Sequence, residues 1–259
     1  MIADLHNHTT LCNHAKGSID EYIEAAIKAK TEYFGFSDHA PMEFDKKYRM
    51  NFDDMANYES EVLKAKDKYK DQIEILLGYE VDFLKGYMDE RVLKADVDYL
   101  IGSVHFLGEW GFDNPEFLDE YKNRDIDTIY RDYFYQIKLM AQSGHFDIVG
   151  HLDLIKVMGF RSKTDVKILA KDAIKAIKKA DMTIELSSAG YRKPIKELYP
   201  DPNLIEIISE YDIPITFASD AHHPKQVGFR SDDLEKFAKD FGYSKCAIFR
   251  GRDRQMIKF

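Results

Sequence analysis

Residues 2–8 read Ile2-Ala-Asp-Leu-His6-Asn-His8, a short β-forming run that ends in two imidazoles. The same arrangement returns along the chain. His39 ends Phe36-Ser-Asp-His39, His105 ends Gly102-Ser-Val-His105, and His151 ends Ile148-Val-Gly-His151. Glu80 lies late in the run from Ile73 to Asp82, and Asp220 and His222 follow the run from Pro214 to Ala218. With Tyr33–Ser37, Tyr99–Val104, Asp147–Gly150 and Thr183–Leu186, these runs make seven candidate strands, the first being Ile2–Leu5.

Amphipathic helical stretches fall between the strands. Ser18-Ile-Asp-Glu21 has the capping-box pattern, with Tyr22, Ile23, Ala26, Ile27 and Ala29 following at helical spacing. Asp53 to about Lys70, Asp127–Ser143, Asn203–Tyr211 and Asp232–Phe241 also read as helices, and Gly144 stops the second of these. Thr164 is placed to cap a helix running to Ala180, with Ile168, Ile174 and Ile177 on its buried stripe. Repeated β-then-α order implies a parallel sheet, open or closed. Seven such units suit a short or distorted TIM-like barrel, and 259 residues suit one domain spanning the whole chain, 1–259.

Parallel barrels place their chemistry on the rim where the C-terminal strand ends converge. Six of the seven strands send a metal-competent side chain there: His6 and His8, His39, Glu80, His105, His151, and Asp220 with His222. His14 lies in the loop after His8 and reaches the same rim. His145 precedes its strand and His223 follows His222, so both are read as non-ligands. Imidazole and carboxylate without thiolate suit Zn, Mn or Fe. Cys12, between His8 and His14, is read as a bystander. Asp4 and Asp38 are candidates to accept the second ring proton of a metal-bound imidazole.

Composition narrows the function classes. The net charge is −9, and no basic stripe with interleaved aromatics is present, which argues against a nucleic-acid partner. Two cysteines imply no disulfide framework and point to a reducing cytoplasm. No apolar run approaches a membrane span, and the N-terminus lacks a signal-peptide pattern.

Asp4-Leu-His6-Asn-His8, with His39, Glu80, His105, His151 and Asp220-Ala-His222, resembles the ordered motif set of the PHP (polymerase and histidinol phosphatase) superfamily. The resemblance implies a distorted (β/α)7 barrel with three divalent metals, Zn, Mn or Fe. Carried over residue by residue, His6, His8, Glu80 and Asp220 hold the first metal. Glu80 bridges to a second held by His105 and His151, and His14, His39 and His222 hold a third. Asp38-His-Ala-Pro-Met-Glu43, Trp110-Gly-Phe-Asp-Asn-Pro115 and Ser188-Ala-Gly-Tyr-Arg192-Lys-Pro194 are most similar to stand-alone histidinol-phosphate phosphatases. That implies a metal-activated water attacking the phosphorus of L-histidinol phosphate, a step of histidine biosynthesis, and a small-molecule phosphomonoester as the partner.

Within that scheme, Arg161 and Arg192 follow the fifth and sixth strands and are expected to clamp phosphate, for which the planar guanidinium is suited. Glu43 is expected to pair with the substrate ammonium, with Lys193, Trp110 and Asp113 as further lining. Asp220 or His222 is expected to protonate the leaving alcohol. The sixth strand is expected to bring no metal ligand. Competing readings are a PHP-type nuclease or a phosphotyrosine-protein phosphatase on the same metals. A purely structural site is disfavoured by the surplus of ligands and the lack of clustered cysteines.

Overall fold

The computed structural model describes residues 1–259. Strands β1 (Ala3–Asp4), β2 (Tyr33–His39), β3 (Glu74–Asp82) and β4 (Tyr99–Ser103) come first. A small antiparallel hairpin follows, β5 (Phe106–Leu107) and β6 (Trp110–Gly111), and then β7 (Ile148–Val149), β8 (Thr183–Ser187) and β9 (Ile215–Ala218). The seven candidate strands are all present, joined in the order β1-β2-β3-β4-β7-β8-β9, and every pairing is parallel. The two ends of the sheet meet. Leu5 N–H donates to Phe217 O at 3.0 Å and His8 N–H donates to Ala221 O at 3.0 Å. The sheet is thus a nearly closed, distorted TIM-like barrel.

The helices are α1 (Ile19–Lys28), α2 (Met55–Tyr69), α3 (Glu90–Leu93), α4 (Glu120–Asn123), α5 (Ile126–Ser143), α6 (Val166–Lys179), α7 (Pro202–Glu210) and α8 (Ser231–Asp240). Ser18 and Glu21 form the expected capping box on α1, whose Tyr22, Ile23 and Ala26 are buried. Gly144 ends α5 in the left-handed region at φ 72°, where it meets no Cβ penalty. The reading of α6 needs two corrections. Asp165, not Thr164, is the cap and accepts from Lys167 N–H, while the Thr164 hydroxyl donates to Asp127 at 2.6 Å. Ile168 is 68% exposed. The buried stripe of α6 runs through Ala170, Ala173, Ile174 and Ile177, and Ile168 falls on the far side of the helix.

Beyond α8 lies an element that the sequence reading leaves out, the antiparallel hairpin β10 (Lys245–Arg250) and β11 (Asp253–Lys258). Its inner strand is buried from Cys246 to Phe249, and Phe259 packs edge-on against Phe217 of β9. Arg250 pairs with Glu74, Arg252 with Asp147 and Arg254 with Asp181. All three carboxylates stand at or just before the starts of barrel strands. The hairpin therefore covers the end of the barrel opposite the histidines. One continuous apolar core runs from Met1 to Phe249. No helix is long and apolar enough to cross a membrane.

Candidate metal centre

Parallel strands deliver their C-terminal ends to one side, and the histidines follow. His6 and His8 leave β1, His39 ends β2, Glu80 sits near the end of β3, His105 follows β4, His151 follows β7, and Asp220 and His222 follow β9. Their donor atoms converge. Within each of three sets the donors lie within 4.8 Å of one another: His6, His8 and Glu80; Glu80, His105 and His151; His14, His39 and His222.

Glu80 is the hub. Its buried carboxylate lies 3.4 Å from His6 Nε2, 2.8 Å from His39 Nδ1, 3.7 Å from His105 Nε2 and 2.9 Å from His151 Nε2. His8 Nε2 is 3.8 Å from Glu80 and 3.1 Å from Asp220, and His6 Nε2 is 4.0 Å from Asp220.

The imidazoles are aimed from behind. His6 Nδ1 lies 2.6 Å from Glu185, and a carboxylate can only accept, so a ring proton sits on Nδ1 and Nε2 is the atom left facing Glu80, free to ligate a metal. His8 Nδ1 likewise faces Asp38 at 3.3 Å, and His105 Nδ1 faces Asp82 at 2.7 Å. His14 Nδ1 donates to Cys12 O at 2.7 Å and His222 Nδ1 to Asp220 O at 3.2 Å. This is how metal-ligating histidines are held in register.

The charges of the site call for cations. Burial works to lower the pKa of His6, but the carboxylates of Glu185 and Glu80 raise it well above its ordinary value. Burial likewise opposes ionisation of Glu80, yet the surrounding His6, His39 and His105 hold it well below the usual carboxylate range. Burial pushes His39 down to about 4, whereas Asp82 and Glu80 overcome burial and push His105 up to about 10.

A divalent metal fits this donor set. His6 Nε2 and Glu80 Oε2 are buried and have no hydrogen-bond partner. The contacts of 3.1 to 4.0 Å among His6, His8, Glu80 and Asp220 bracket a tetrahedral shell. Bonds of about 2.0–2.2 Å in such a shell put donors roughly 3.3–3.6 Å apart. The Cys12 thiol also lies near His8 and His222. Burial raises its pKa far above the ordinary thiol value and it donates to Thr9 O at 3.1 Å, so it remains a neutral thiol and a poor ligand.

Other expected site residues lie elsewhere. Glu43 is 64% exposed and pairs with Lys46 at 2.6 Å, and it is not among the residues that line the cavity. Arg161 is 49% exposed, bonded to Glu197 and 3.6 Å from Asp201, and it lines a neighbouring recess. Arg192, by contrast, stands at the site itself, beside Asp220, with its Nη1 buried and unpartnered. Its Nη2 donates to Ser219 O at 2.6 Å and Asp220 O at 2.9 Å. It thus supports Asp220, a non-glycine residue at φ 49° in the sparsely populated left-handed region. Asp4 orients no imidazole. It accepts from Ser219 N–H at 2.8 Å and the Ser219 hydroxyl at 2.7 Å, fastening β1 to the loop after β9. His145 is exposed, and His223 caps the turn at Pro224.

Three important residues escaped the sequence reading. Glu185, from the sixth strand, holds His6 with one oxygen and the His151 N–H with the other, at 3.1 Å. Asp82 orients His105 and is held in turn by buried Arg49 at 2.8 Å. For Glu185, the only signal was a carboxylate in mid-strand. Glu185→Gln keeps the side chain's shape but swaps one acceptor for a donor. Metal affinity is expected to fall roughly 10- to 100-fold, the usual cost of losing such an outer partner. Competition with a chromophoric chelator measures this, and unchanged affinity would show that Glu185 does not set the His6 ring.

Above the donors lies a cavity of about 240 Å³. His14, His39, Glu80, His105, His151, Asp220 and His222 line its floor, and Asp113, Phe106, Phe117 and Lys193 line its walls.

Comparison with known proteins turns on this rim. The PHP domain family matches residues 4–189. The chain belongs to the PHP domain family. A probable histidinol-phosphatase of Deinococcus radiodurans is 39% identical to this PHP domain protein over 98% of both chains. The histidinol-phosphatase of Bacillus subtilis is 27% identical, over 87% of this chain and 95% of its own. Two crystal structures share the fold. One is of a Listeria monocytogenes protein titled a putative histidinol phosphatase (TM-score 0.82, 23% identity, 89% of this chain and 99% of that one). The other is histidinol phosphate phosphatase from Lactococcus lactis with zinc, L-histidinol and phosphate (TM-score 0.79, 20% identity, 98% of each chain). Asp220 and His222 lie beyond the residues matched to the PHP family, and the barrel brings them to the same rim.

Proposed function

We propose that this PHP domain protein is a divalent-metal-dependent histidinol-phosphatase, hydrolysing L-histidinol phosphate to L-histidinol and phosphate. The observation that carries the reading is the convergence of metal donors from six strands on one rim, five imidazoles of them within 4 Å of Glu80, at the floor of a cavity that suits a small molecule. The full-length similarity to probable histidinol-phosphatases supports the substrate. Free, buried Cys12 and Cys246 fit a cytoplasmic setting.

In this reading His6, His8, Glu80 and Asp220 hold a first ion. Glu80 is shared with a second ion at His105 and His151, and His14, His39 and His222 hold a third. Zn, Mn and Fe all suit these donors, and zinc, present in the Lactococcus structure, is the first to test. Divalent metals supply acidified water, neutralise phosphate charge and stabilise the in-line oxygens. The chain's own groups do the rest. Glu185, Asp38 and Asp82 keep the imidazoles aimed. Lys193 forms no ion pair and meets the phosphate. Arg192 steadies Asp220 through its carbonyls. Asp220 and His222, 3.5 Å apart, relay the proton given up by the attacking water to the leaving ester oxygen.

The test is steady-state hydrolysis of L-histidinol phosphate by the metal-loaded protein, beside an aryl phosphate and a short oligonucleotide. We expect kcat/KM for histidinol phosphate above about 10⁴ M⁻¹s⁻¹, with the others far behind. Equal rates on all three would sink the substrate assignment and leave the metal centre standing.

A further inference from the structure

Five carboxylates line the cavity: Asp45, Glu80, Asp82, Asp113 and Asp220. Four are already engaged. Asp45 and Asp82 pair with Arg49, Asp82 also holds His105, and Glu80 and Asp220 face the imidazole cluster. Asp113 alone makes no hydrogen bond and no ion pair. It stands a few residues past β6, on the flap that overhangs the donors, and its negative charge reaches His105 below.

The flap fixes Asp113 in place. Its neighbour Phe112 is buried and packs edge-on against Tyr133 of α5. The Tyr121 hydroxyl donates to Phe112 O at 3.2 Å. On the other side, Asn114 N–H donates to Gly111 O at 3.2 Å. With residue 112 anchored inward, Asp113 is left on the cavity wall. Beside it Phe117, 47% exposed, offers an aromatic face with no aromatic partner.

We propose that Asp113 is the specificity residue that recognises the ammonium group of the substrate, with Phe117 flanking the imidazole. The proposal rests on the histidinol-phosphatase reading and deepens it. The substrate's ammonium branches from the carbon next to the ester CH₂, and its imidazole lies one carbon further on. A phosphate held at the donors therefore places the ammonium toward the wall. An unpaired carboxylate there offers a charge-assisted hydrogen bond that an amine-free phosphate cannot make. The cavity then reads both ends of one molecule, a phosphate at its floor and Lys193, and a cation at Asp113.

The experiment compares L-histidinol phosphate with its deaminated counterpart, 3-(imidazol-4-yl)propyl phosphate, in the metal-loaded wild type and in D113N and D113S. The readout is the ratio of the two kcat/KM values. Wild type is expected to favour the amine-bearing phosphate. Loss of a charged hydrogen bond should shrink that preference by at least ~10-fold in both variants. Inhibition by L-histidinol should weaken in parallel. A shrinkage of less than fivefold in both variants, with metal content and circular dichroism intact, overturns the proposal, as does a wild-type ratio near one. The histidinol-phosphatase reading fails separately, if wild type handles histidinol phosphate no better than phenyl phosphate. The amine-to-deaminated ratio still decides Asp113 in that case.

Discussion

Replacing Glu80 by Gln is expected to lower kcat/KM by at least ~10³-fold, a loss of several kcal/mol of transition-state stabilisation. Gln matches Glu in shape, so the effect isolates charge and donor count. The Glu80 carboxylate lies within 4 Å of five imidazoles, those of His6, His8, His39, His105 and His151. An amide offers one neutral acceptor oxygen, and its NH2 group donates hydrogen bonds to the imidazole lone pairs and leaves no oxygen there to ligate a metal. Two metal sites would lose their shared ligand together, so metal content should fall at both while far-UV circular dichroism stays native. An E80Q protein with full metal content and activity within tenfold of wild type would remove Glu80 from the centre of the site.

Stripping the metals with a chelator is expected to abolish activity to a similar degree and to destabilise the fold. Ions that bind only the native state stabilise it by mass action, by about 4 kcal/mol at a thousandfold excess over Kd, which is roughly 10 °C in Tm for a chain of this size. The sign follows from the charges. Without cations, Glu80, Glu185 and Asp220 stay buried beneath the cavity with only imidazolium protons to balance them. Thermal melts with and without chelator measure the shift, and adding zinc or manganese back should restore both Tm and activity. A stripped protein with undiminished activity would rule out metal-dependent hydrolysis.

The strand ends were legible because each key histidine directly follows a β-forming run, so chain order alone puts the donors on one rim. His6, His8, His39, Glu80, His105, His151, Asp220 and His222 could be read that way. Side-chain direction in loops could not. Arg161 and Glu43 sit at plausible positions in the chain, but Glu197 with Asp201, and Lys46, draw them elsewhere. Those partners are known only once the loops have folded. Glu185 was hidden for a different reason. In Thr183-Ile-Glu-Leu-Ser187 a carboxylate looks the same whether it faces solvent or the barrel axis, and the closed sheet decides which. The β10–β11 hairpin turns on an unusual pair. Gly251 and Arg252, both at positive φ, form the two-residue turn that right-twisted strands favour.

Six of the barrel's seven seams join strands that are consecutive members of the ring in chain order. The remaining seam, β1 against β9, joins Leu5 to Phe217 across more than two hundred residues. During synthesis β1 is made first and waits for its second neighbour until β9 emerges. His6 and His8 stand on one side of that seam and Asp220 on the other. The donor set that they form with Glu80 therefore exists only after the longest loop in the fold has closed, the slow kind of contact to form. Ion capture at that seam would latch the ring shut, so that a growing chain acquires its chemistry and its final closure in the same event.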